Sequence, residues 1–366
     1  GVYPIKISVG SLALFHNYIF EDGTLTVVPP SVEYYYNHGQ PTAQEQYMLE
    51  LINCARSNPV TEALRLRIDP TTELPAGSMD GNPIPPLAFN NALLQSARGH
   101  STWLLEEHQW SFTGKNGSIP AQRMADAGYP FVDELGWTCS ENLGLCSPLN
   151  DPALDVQNLY EGLFQQSSSF RGNILDSVFE EVGVGLAVGD FNYFNPETPS
   201  LIATLDFAGS GASLSPYITG VVYDDLNKNK LYDLGEGVAN IVVYLEGSHY
   251  YTITSSSGGY ALPYSDLSNT HSDLVFEGTT LPQPRVFHVT PTGDNVRVNI
   301  RTSDPYPEEP QEATLTWSQN ENSLTLYFTG KLETSIDLLT WTKLAVNSPY
   351  SLPIANEEKR FYRAVK

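Results

Sequence analysis

At Gly209-Ser-Gly-Ala-Ser213 the hydrophobic period of this chain changes from helical to strand-like and does not change back. Upstream, Met48, Leu51, Ile52 and Ala55 repeat at i, i+3, i+4 and i+7, which predicts an amphipathic helix ending near Asn58-Pro59. Leu93, Ala97, His100 and Leu104 predict a second helix behind a cap at Asn90 or Asn91. A short third helix is expected from Ser118, with Pro120 in its first turn, to a stop at Gly128, and Val156, Leu159, Tyr160, Leu163 and Phe164 mark a fourth. Strand-like runs at 182–188 and 201–207 close this region, so residues 41–209 read as helices packed on a small sheet. Downstream, β-rich runs at 218–223, 241–245, 250–254, 286–289 and 296–300 predict a small β-sandwich over 214–303. An acidic, proline-rich spacer follows over 304–312, then an alternating β segment over 313–366. Residues 1–40 read as an extended arm, strand-like in places. The fold class is therefore α+β, in a chain of 366 residues long enough for two or three domains.

The net charge of −23, from 19 basic and 42 acidic residues, repels a phosphate backbone, and no Lys/Arg cluster offsets it, so no nucleic-acid partner is expected. Such acidity suits a solvated extracellular surface or divalent-cation sites. No apolar run approaches the roughly 18 residues needed to span a bilayer, so no membrane span is expected. An opening at Gly1, without Met or an apolar signal core, fits a secreted or cell-surface protein after signal removal and equally an excised piece. The three cysteines, Cys54, Cys139 and Cys146, are too few for a disulfide scaffold or a four-thiolate zinc site.

Several sequence blocks occur in a telling order: Glu45-Gln-Tyr-Met-Leu-Glu-Leu-Ile-Asn53 with Arg56 and Pro59; Pro86-Leu-Ala-Phe-Asn90; Ala97-Arg-Gly-His100; Arg123-Met with Ala127-Gly-Tyr129; Glu141-Asn-Leu-Gly144; Arg171-Gly-Asn-Ile-Leu175; and Phe179-Glu-Glu-Val-Gly-Val-Gly185. Together they resemble a bacterial CAP domain of the SCP-like extracellular type, akin to the pathogenesis-related 1 proteins. The resemblance implies a CAP α-β-α sandwich, followed here by one or two small all-β modules of immunoglobulin-like or prealbumin-like type. It also implies a cleft in which many members hold a divalent ion with two histidines and acidic residues.

This chain departs from that pattern. Where the resemblance places the first cleft histidine, Gln109-Trp-Ser-Phe-Thr-Gly114 presents Phe112, and where it places the second, Phe170 precedes Arg171. The cleft acid is Glu141, and the other acidic position falls at Gln166 or Ser167. One carboxylate without imidazole cannot close a zinc shell, so no zinc is expected in this cleft. The two rings imply either simple core packing or an apolar ligand groove lined by Phe112, Phe170 and Phe164. His100 reads as a hydrogen-bonded core histidine, and His108 as a helix-end histidine. The serines at 167–169 lie near Phe170 and not near a histidine, so no catalytic triad is seen. Cys139 and Cys146 bracket Glu141; a bridge between them and a pair of buried thiols are both open, and Cys54 reads as a thiol on the flank of the first helix.

The sharpest chemistry lies in Asp225-Leu-Asn-Lys-Asn-Lys-Leu-Tyr-Asp-Leu-Gly-Glu236. Oxygen side chains fall at the first, third, fifth, ninth and twelfth positions as Asp225, Asn227, Asn229, Asp233 and Glu236, with the Leu231 carbonyl at the seventh. That is the spacing of a calcium loop, and Ca2+ is the expected cofactor, in a structural role. The sixth position, usually Gly, is Lys230, at a cost on the order of 1 kcal/mol. With Val221-Val-Tyr223, Gly235-Glu-Gly237, the run at 241–245 and Ser257-Gly-Gly-Tyr260, the region resembles the calcium-binding B repeats and prealbumin-like modules of bacterial adhesins. Leu332-Glu-Thr-Ser335, Asp337-Leu-Leu-Thr-Trp341 and Arg360-Phe-Tyr-Arg363 resemble a small β module found at the C-termini of large exported proteins. The expectation is a non-enzymatic secreted or surface protein that binds an extracellular partner or assembles with itself through the arm. An apolar lipid or sterol ligand in the cleft, and a hydrolase using Glu141, are the alternatives.

Overall fold

The computed structural model describes residues 2–4, 17–21, 24–28, 32–69, 82–166, 168–192, 197–265, 267, 272–290, 292–304, 315–319, 323–328, 330–336, 339–353 and 361–365. Local signals set its helices. Thr42 caps α1 (Ala43–Ser57) in a reciprocal box: its hydroxyl accepts from the Glu45 amide, and Glu45 Oε2 accepts from the Thr42 amide at 2.7 Å. The helix stops at Asn58, whose side chain caps α2 (Pro59–Arg65) with proline in its first turn. Asn90 caps α3 (Asn91–Glu106), followed by α4 (Pro120–Asp126), α5 (Pro152–Gln166) and α6 (Ser168–Leu175).

The chain is a mixed α+β protein in two units, 1–304 and 305–366. In the first unit, β1 (Val2–Pro4), β2 (Asn17–Glu21) and β3 (Thr24–Val28) form a small antiparallel sheet in the order β1-β3-β2. β4 (Tyr34–Tyr35) is the last strand of the expected arm. β5 (Ala88–Phe89), β6 (Trp137–Cys146), β7 (Glu181–Phe191) and β8 (Thr198–Ser210) form a sheet in the order β5-β7-β8-β6, antiparallel except for the β5–β7 pair.

Alternation along β7 divides the helices between the faces of this sheet. Val182 and Val184 enter a core with Met48, Ile52, Phe164 and Ile174 from α1, α5 and α6. Gly183 and Gly185 face the other way, where a Cβ would lie 2.0 Å from the Leu93 carbonyl carbon and 2.2 Å from that of Ala97. The glycines let the α3 backbone rest directly on the sheet.

The β region holds β9 (Tyr217–Tyr223), β10 (Val242–Leu245), β11 (Tyr250–Ile253), β12 (Gly259–Pro263), β13 (Ser272–Glu277), β14 (Arg285–Val289), β15 (Val296–Arg297) and β16 (Ile300–Arg301). A five-stranded sheet, β14-β13-β10-β11-β4, packs on a second, β12-β9-β15, with β16 also on β9; Val222, Val243, Leu262 and Phe276 lie in the shared core. The arm's last strand thus pairs with its own chain: Tyr34 and Tyr35 lie parallel to Tyr250 and Tyr251.

The helical and β regions are joined within this unit. Asn295 accepts from the Tyr217 amide at 2.7 Å and donates to the Pro86 and Glu180 carbonyls at 2.9 and 2.7 Å. Of the expected spacer 304–312, all but Asp304 lies outside the described residues.

The second unit contains β17 (Leu315–Gln319), β18 (Ser323–Phe328), β19 (Lys331–Ser335), β20 (Thr342–Leu344), β21 (Tyr350–Pro353) and β22 (Phe361–Val365). They pair as β17-β18-β21 and β20-β19-β22 around Leu326, Phe328 and Leu332. No helix among the described residues is long and apolar enough to cross a membrane.

Candidate functional site

Glu141 is held in a buried polar cluster on the α3 side of the sheet. In the β6–β8 register it stands opposite Asp206, so the two carboxylates share a face. Arg123 of α4 donates to Glu141 Oε2 at 2.6 Å and to the Phe112 and Ser118 carbonyls at 3.1 and 3.0 Å. His100 of α3 donates from Nε2 to the Ser111 carbonyl at 3.1 Å, stands 3.7 Å from Glu141 Oε1 and stacks on Trp103. The Glu141 side chain is 1% exposed, and Asp206 is fully buried.

Burial raises the Glu141 carboxyl against the pull of Arg123. Asp206 is raised well above the usual carboxylate range by burial and by the neighbouring Glu141 charge. Two facing carboxyls in a dry site resist carrying two charges, so the pair tends to keep a proton and to match the single guanidinium. His100 is pushed down to about 4 by burial and by Arg123, which keeps it neutral near pH 7. Cys139 flanks the cluster, and burial and the charges of Asp206 and Glu141 push its thiol up, away from the nucleophilic thiolate. The arrangement orders a core, and its acids, base and thiol are each biased toward a neutral state.

Phe112 and Phe170 meet edge to face at 6.3 Å. Phe112, Ile119, Pro120, Ala121, Cys139 and Glu141 line a shallow depression of about 410 Å³, while Phe170 belongs to a larger groove of about 590 Å³ with Trp110, Leu143, Leu159, Leu163 and Phe191. Two expectations are corrected here. Phe164 lines no ligand groove, because it is fully buried in the core beneath α5. Cys139 and Cys146 do not bridge: both lie on the continuous strand β6, seven residues or about 23 Å apart along it, and all three cysteines are free. Ser167 lies outside the described residues.

The 225–236 loop curls on itself. Asp225 Oδ2 accepts from the Lys230 amide, Asn227 Oδ1 from the Asn229 amide and Asn229 Oδ1 from the Leu231 amide. Lys230 takes φ +67° at the sixth position, the left-handed conformation for which glycine is usual there. Asp233 Oδ2 accepts from the Asn227 and Asn229 side chains at 2.8 and 2.6 Å, and the buried Glu236 accepts from the Leu226 and Asp233 amides. The Asp225 side chain is 5% exposed, and its Oδ1 has no hydrogen-bond partner. Among the described residues no three His, Cys, Asp or Glu side chains gather into a metal group by themselves. The loop's donor set therefore needs its two Asn amides and the Leu231 carbonyl as well as its acids. With those, the hard-oxygen chemistry fits calcium.

Compared with known proteins, the chain matches no family model and no curated protein.

The cluster contains two partners that the sequence reading missed as functional neighbours. Asp206 is the one charged residue in the apolar run 201–207, a signal for a buried acid. Arg123 lies in the Arg123-Met segment, whose spacing carries no link to Glu141.

Proposed function

We propose that this chain is a non-enzymatic, exported binding or assembly protein. In this reading a CAP-type α-β-α domain with a degenerate cleft is joined to a prealbumin-like or immunoglobulin-like β module stapled by calcium. The observation that carries it is the state of Glu141: a general acid or base has to reach substrate, and this side chain, although it borders the shallow depression, is 1% exposed and already paired with Arg123 at 2.6 Å. Support for the staple comes from the unpartnered, buried Asp225 Oδ1 within a loop whose backbone and asparagine side-chain amides hold its other oxygen side chains. The ordered sequence blocks and a sheet with helices on both faces support the CAP reading.

The test is hydrolysis of a panel of peptide and ester substrates by the full chain and its Glu141→Gln variant. The proposal expects the same background rate for both, whereas turnover abolished by the substitution would overturn it.

One observation favours a second reading. Among the described residues the 590 Å³ groove is lined without a charged residue, with Asn158, Thr198 and Ser200 beside its apolar side chains, in a chain of net charge −23, which suits a neutral ligand with an apolar body. Saturable binding of a fluorescent lipid or sterol that Leu163→Arg abolishes would support it, and absence of saturation would remove it.

A further inference from the structure

The 225–236 loop touches more than its own module. Tyr232, its eighth residue, is 5% exposed and packs with Val221, Tyr223 and Tyr47 of α1. The Tyr223 ring meets it edge to face at 6.1 Å, and the Tyr223 hydroxyl donates to the carbonyl of Lys230, the sixth loop residue. Lys230, Leu231 and Asp233 line a cleft of about 360 Å³ whose opposite wall is Tyr47, Glu50 and Cys54 of the same helix. The seam is closed by charge: Glu50 Oε2 accepts from Arg297 at 2.5 Å and from Asn299 at 2.8 Å. Two residues on, Arg301 reaches Asp225, the first loop donor, at 3.6 Å.

We propose that this loop is a calcium-operated interlock between the β region and α1. The inference rests on the calcium reading above and goes beyond a staple internal to the β module. Three carboxylates, Asp225, Asp233 and Glu236, belong to this one loop. Without a cation their mutual repulsion loosens the turn that holds Tyr232 against α1. With calcium the turn closes, and the ring and the Lys230 carbonyl are fixed at the seam. Binding in one region thereby tightens the adjoining helical region against it, a coupling between a cation site and a helix outside its own module.

The experiment is hydrogen exchange of the full chain with calcium and with chelator, beside calcium titration calorimetry. Calcium should slow exchange in 225–236 and also in α1, by at least about fivefold, the low end for linked sites. Tyr232→Phe keeps the ring and should keep both effects. Tyr232→Ala, and Tyr47→Ala from the helix side, should still bind calcium and protect the loop but lose the protection of α1. Calcium binding that protects the loop and leaves α1 unchanged would overturn the interlock while the calcium reading stands. Protection of α1 that survives both alanine variants would overturn it too. Absence of calcium binding would overturn both.

Discussion

Replacing Arg123 by Met removes the guanidinium that, among the described residues, donates to the buried Glu141. Taking away one partner of a buried ion pair typically costs about 3–5 kcal/mol, because the other charge stays buried without compensation. Arg123 is 11% exposed and Glu141 1%, so partial hydration of the guanidinium argues for the lower end, about 3 kcal/mol. At roughly 2–4 °C per kcal/mol, the melting temperature should fall by about 6–12 °C. Glu141→Gln removes the charge that Arg123 serves, so the double variant should lose less than the sum of the single losses, by about 1.5–3 kcal/mol. The deficit also has a sign in pH. Both carboxyls are raised by burial, so the folded state holds protons that the unfolded chain releases, and their contribution is lost as pH rises through the folded values. Without Arg123, which lowers both groups, that loss deepens, and the gap from wild type should widen from pH 5 to pH 8. Thermal unfolding followed by tryptophan fluorescence suits the test, since Trp103 stacks on His100 beside the cluster. Additive losses, or a gap independent of pH, would refute the charge-matching argument.

Gly183→Ala should prevent folding or cost more than about 4 kcal/mol, since its Cβ would overlap the α3 backbone; circular dichroism of the soluble fraction reads this. Gly99→Ala on α3 meets nothing within 4 Å and should instead stabilise by about 0.5–1 kcal/mol in the same melting assay. Asn295→Ala strands the Tyr217 amide and two carbonyls at the junction and should cost about 2–4 kcal/mol in denaturant unfolding. His38, fully buried on Thr252, is pushed down to about 4 from 6.5 by burial, so its contribution is full above pH 6.5 and lost as pH falls toward 4. At about 1.4 kcal/mol per pH unit this amounts to about 3 kcal/mol, and His38→Gln should flatten the acid limb of the stability curve.

Local signals were legible in the sequence where one element decides them. The α1 period, the Asn90 cap, the stop at Asn58-Pro59 and the position of Lys230 in the loop each depend on a few neighbouring residues, and the structure has them where those residues put them. The candidate cluster depends on register between strands 65 residues apart, which sets Asp206 opposite Glu141, and no periodicity in either strand announces that pairing. The cysteine spacing permitted a bridge only if a turn intervened; the apolar alternation of β6 runs straight through, and an extended backbone carries the thiols apart. The signal for Phe164 is local: it follows Tyr160 by four residues on the apolar stripe of α5, which faces the core and not a cleft. The pairing of Tyr34 and Tyr35 with Tyr250 and Tyr251 joins segments more than 200 residues apart and has no local mark beyond the aromatic run.

The most direct test of the account is titration of the metal-stripped full chain with calcium and with zinc by calorimetry, with metal analysis of the untreated protein. The account predicts one calcium per chain, lost in Asp225→Asn and in Glu236→Gln, and no saturable zinc binding that depends on Glu141. Failure to bind calcium, or stoichiometric zinc that Glu141→Gln abolishes, would contradict it.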